Sequence, residues 1–103
     1  MDPLTILVLG AIAAYNIFVI VYFVYLTWSI IVKWFQNNEE VATEWDNVAA
    51  TAQTTLESGE VVVIQGIFNR KTGKPVKGRT IKYDDLDSRV REVHRNNPVV
   101  IRQ

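Results

Sequence analysis

The chain is 103 residues long, which leaves room for one small domain and at most one membrane anchor. Eleven Lys and Arg balance eleven Asp and Glu, so no net charge draws the protein toward nucleic acid or another polyanion. Cysteine is absent and His94 is the lone histidine, which excludes disulfides, thiol nucleophiles, and zinc or haem sites built on cysteines or paired histidines.

In chain order, the first feature is residues 4–32, which contain no charged side chain. As a continuous helix rising about 1.5 Å per residue, this run exceeds the roughly 30 Å of bilayer hydrocarbon and predicts a single, tilted transmembrane helix. Asp2 and Pro3 supply an N-cap and a first helical position, and Trp28, Lys33 and Trp34 an interfacial anchor at the far end. A cleaved signal peptide fits less well, because no basic residue precedes the run and it continues far past the small residues at 11–13. Lys33 on one flank and Asp2 on the other predict the N-terminus outside and the C-terminal part on the cytoplasmic side.

Around that helix, Thr5, Asn16 and Thr27 recur every eleven residues and form a thin polar seam. Gly10 and Ala14 add small side chains that let a neighbouring helix approach closely. Together they predict a docking face for integral-membrane protein subunits, against the plainer alternative that Asn16 bonds its own backbone. Tyr15, Phe18, Tyr22 and Tyr25 mark an aromatic stripe, best read as contact with lipid or protein. The span holds no histidine to ligate a pigment or haem.

Residues 37–59 read as an acidic amphipathic helix. Asn38 caps it, Glu39 and Glu40 suit its first turn, and Gly59 stops it. Val41, Trp45, Val48, Ala52 and Leu56 fall on one face. The acids cluster here, while Arg70, Lys71, Lys74, Lys77, Arg79 and Lys82 follow in a tract without acids. The two blocks either pair within the fold or stay solvated; the sharper alternative is a basic surface for anionic lipid or an acidic partner.

Residues 60–103 predict a ββαβ module. The β-branched run 61–68 reads as a buried strand, Thr72-Gly73 as a turn, and residues 75–83 as a second strand. Asp84 is placed as the cap of a helix burying Leu86, Val90 and Val93, and Val99 to Ile101 closes the module. So small a core needs the acidic helix, a second copy or a larger partner to cover it.

No reaction chemistry emerges. Gly73-Lys74-Pro75 lacks the Ser or Thr of a phosphate loop, and Asp84, Asp85 and Asp87 lack the alternation of a calcium loop. His94 reads as a surface residue in a last helical turn. The basic tract lacks the interleaved aromatics of a single-strand binder. The expected fold is therefore a membrane α-helical anchor (1–36), an amphipathic helix (37–59) and a small α+β extramembrane module (60–103). The expected function is a non-catalytic, cofactor-free accessory or assembly subunit of a larger membrane complex, docking through the seam and Trp45. Two rivals are a tethered module recruiting an acidic partner or anionic lipid through the basic hairpin, and a homo-oligomeric scaffold or pore.

Overall fold

In a computed structural model that describes residues 3–14 and 19–102, the long apolar run is divided into three elements. Helix α1 (Pro3–Ala14) ends well before mid-run, strand β1 (Val19–Leu26) follows, and helix α2 (Trp28–Asn37) begins after Thr27. All residues of β1 but its last are β-branched or aromatic, the types that suit a pleated surface. Thr27 then starts α2, its hydroxyl accepting the Ile30 amide at 3.2 Å. No helix among the described residues is long and apolar enough to cross a membrane. This overturns the single-pass anchor and, with it, the N-out orientation deduced from Lys33. Asp2, Tyr15, Asn16 and Phe18 lie outside the described residues.

The acidic amphipathic helix is also corrected. Only a short α3 (Glu39–Ala42) forms there, and Asn47–Thr55 is strand β2. Val48 and Ala52 do fall at helical spacing, but they also alternate with Ala49 and Thr51, and β2 is buried on both faces. A strand covered on both sides has no polar face to betray its period.

Strands β3 (Val61–Asn69) and β4 (Pro75–Leu86), helix α4 (Ser88–His94) and strand β5 (Val99–Arg102) complete the chain. They belong to one five-stranded mixed sheet, ordered β1-β4-β3-β2-β5, rather than to a module separate from the N-terminal third. β1 runs parallel to β4, whereas the other neighbours are antiparallel.

Helices cover both faces. One core joins Ile31 and Phe35 of α2 and Val90 of α4 to Ala49, Val63, Ile67 and Ile81 of the sheet. The other joins Val8 and Ala11 of α1 to Val48, Ala50, Ala52, Phe68 and Val99. The alanines of β2 let helices approach from above and below. Gly66 serves the same close packing, since a Cβ there would stand 2.9 Å from the buried Phe68 ring.

A corner fixes the order of the helices. β1 and β4 end side by side at Leu26 and Leu86, and each leads into a helix. Asp87, rather than Asp84, caps α4 by accepting the Val90 amide, and its second oxygen accepts the Trp28 amide at the start of α2. One carboxylate thus holds the first turns of two helices, where negative charge suits the dipoles.

Candidate functional site

Two features stand out from a well-packed background. The first is β1 itself, at the free edge of the sheet. Val19, Ile20, Tyr22, Val24 and Tyr25 are between 51% and 68% exposed, although Val21, Phe23 and Leu26 pack inward. Ile20, Tyr22 and Val24 share the face opposite α2 and remain exposed there. Patches of this kind, on the order of a few hundred Å², mark contact surfaces more often than scattered apolar residues do. Interaction with the Asp84 carboxylate raises the Tyr22 phenol above its ordinary value.

The second feature is a row of polar side chains crossing the sheet beneath α2. Register places Thr51 opposite Gln65 and Gln65 opposite Arg79. Gln65 is fully buried; its Nε2 donates to the Ile31 carbonyl of α2 at 2.6 Å, and its Oε1 accepts from Arg79 Nε at 2.9 Å. The Arg79 guanidinium lies 5.5 Å from the Phe23 ring centroid and 5.6 Å from that of Trp34. Burial pulls its pKa down, but an arginine keeps its charge in such a setting.

At the other end of the row, Thr51 Oγ1 is 3.1 Å from His94 Nε2, and His94 Nδ1 is 3.3 Å from the Asn97 carbonyl. His94 is therefore buried, not on the surface as its place near a helix end suggests. Burial lowers its pKa, so the ring is neutral at pH 7. Hydroxyl and imidazole in contact are the minimum for nucleophilic catalysis. Here a backbone carbonyl, a weak orienting partner, takes the place a carboxylate holds in a catalytic triad.

The described residues among those singled out from sequence do not assemble into one surface. Thr5 is buried on α1 and Thr27 starts α2, on opposite faces of the sheet; Gly10 and Ala14 are exposed on α1. Trp45 is 93% exposed, in the turn before β2. The basic tract is dispersed: Lys71 pairs with Asp46 at 3.6 Å, Lys82 with Glu60 at 3.2 Å, and Arg79 turns inward. Arg70, Lys74 and Lys77 are exposed and form no ion pair among the described residues.

Sequence reasoning missed the edge, although the density of β-branched and aromatic residues in 19–26 was its signal. Gln65, Thr51 and His94 carry no local signal, because their partners are distant in sequence. Comparison with protein-family models, with curated proteins and with solved structures gave no match.

Proposed function

We propose that this chain is a non-catalytic assembly module that joins a second copy of itself edge to edge through β1. The observation that supports this reading is the undefended edge. Natural sheets blunt their free edges with charge, proline, a bulge or extreme shortness. β1 has eight residues, none charged and none proline, and it keeps one constant offset against β4, from Val19 beside Arg79 to Leu26 beside Leu86.

A second copy suits this edge because the pairing is self-complementary. About a two-fold axis perpendicular to the sheet, two β1 strands run antiparallel and form an isologous contact. Centred on Tyr22, the pairing sets tyrosine opposite tyrosine and Ile20 opposite Val24 of the other copy. Aromatic and β-branched cross-strand pairs each contribute about 0.2–1 kcal/mol over alanine pairs. The backbone groups along both edges are satisfied at the same time.

Sedimentation velocity of the full chain over a concentration series tests this. A monomer–dimer equilibrium is expected, and Val24→Lys should weaken it at least tenfold by placing a charge on the edge. A chain that stays monomeric throughout, or a Val24→Lys variant that dimerises like the parent, overturns the proposal.

A further inference from the structure

Beside α2, on the side of the sheet away from β1, lies a pocket of about 300 Å³. Trp28, Ile31 and Phe35 of α2 form one wall, Thr51 of β2 the floor, and Val100 and Ile101 of β5 the other wall. We infer that this pocket binds a small, mostly apolar molecule carrying one hydrogen-bond donor, such as a phenol, with its O–H received by Thr51 Oγ1. The site is independent of the β1 edge.

Size is the first argument. Protein interiors close up to few voids larger than a water molecule, whereas ligand sites begin at about 300 Å³. The lining is the second: aromatic and aliphatic walls around very few polar groups are the usual composition of such sites.

The polarity of the ligand follows from the hydrogen bonds behind Thr51. His94 Nδ1 faces the Asn97 carbonyl, which only an N–H can satisfy, so the ring's proton sits on Nδ1. Nε2 of the neutral ring is then an acceptor, and the Thr51 hydroxyl must donate its one proton to it. Thr51 Oγ1 keeps only lone pairs for anything else. Thr51 lines the pocket while almost wholly buried, so an occupant seated against it meets an acceptor and gains most if it brings a donor.

Phenol and toluene, which differ by that donor, are the probes. In an NMR titration of the full chain, phenol should give saturable shifts at the Trp28 indole N–H and the Thr51 and Val100 amides. It should bind about tenfold tighter than toluene, the ratio expected of one net hydrogen bond. Thr51→Val should reduce phenol to the affinity of toluene and leave toluene unchanged. Val100→Phe, which fills the pocket from β5, should abolish both. No saturable shift, equal affinities in the parent, a phenol preference that survives Thr51→Val, or binding that survives Val100→Phe overturns the inference. Should Thr51→Val fail to fold, the parent ratio and Val100→Phe still decide.

Discussion

The two edges of the sheet are finished in opposite ways. At one, β5 offers only four residues, and Val99 and Ile101 pack against α1. At the other, β1 offers eight, with apolar side chains exposed on both faces. Shortness and cover close the first edge; nothing comparable closes the second among the described residues. The difference teaches that exposure of β1 is not a shortage of helices, since the fold spends α1 on covering a much smaller strand.

Each half of the sheet also has its own polar tie, and these ties can be broken separately. Near β1, Gln65 links Arg79 to α2. Gln65→Leu leaves the Arg79 Nε without its acceptor in a half-buried site, and should cost about 2–3 kcal/mol in urea unfolding. Adding Arg79→Met should recover part of that loss, because an apolar pair needs no partner. At the centre shared by both halves, Gly66→Ala should cost about 1–3 kcal/mol in the same measurement, as the Phe68 ring has no room to yield.

Near β5, the tie is sensitive to pH. The pKa of His94 is depressed in the fold, so between that value and the ordinary one of about 6.5 only the unfolded chain takes up the proton. Stability should therefore be flat above pH 6.5, fall as pH drops through that window, and level once both states are protonated. The slope is at most about 1.4 kcal/mol per pH unit, the value for one proton. Comparing the pH dependence of the parent with His94→Gln isolates this contribution, and identical curves would deny it.

Legibility varied with how local the deciding interactions are. β3 and β4 are visible in the sequence because β-branched runs flank Thr72-Gly73, and Gly73 adopts the positive φ of 70° that its turn requires. β1 was hidden by its neighbours. An uncharged run from 4 to 32 has the hydropathy of a membrane span whether it is one helix or helix, strand and helix. Averaging over it conceals the change in residue type at Val19. β2 misled for a different reason: Val48 and Ala52 satisfy a helical period and a strand period together, and burial of both faces removes the tie-breaker. His94 was placed by its own helix, while its burial depends on Thr51, which a different strand brings to it. Counting charge along the chain marks the basic tract but cannot separate its members, whereas alternation in β4 sends Arg79 and Lys82 to opposite faces.

The parallel pairing of β1 with β4 also orders events in time. Val19 lies beside Arg79 and Leu26 beside Leu86, about sixty positions downstream. A chain made from its N-terminus completes β1 early and must make most of the remainder before the strand's one neighbour exists. Pairings so far apart are also slow to form, because a long loop must close before any contact rewards it. During that interval both edges of β1 are open, and its inward side chains, Val21 and Phe23, are as accessible as its outward ones. The edge strand most exposed in the finished sheet is thus also the one most in need of shielding while the protein is being made.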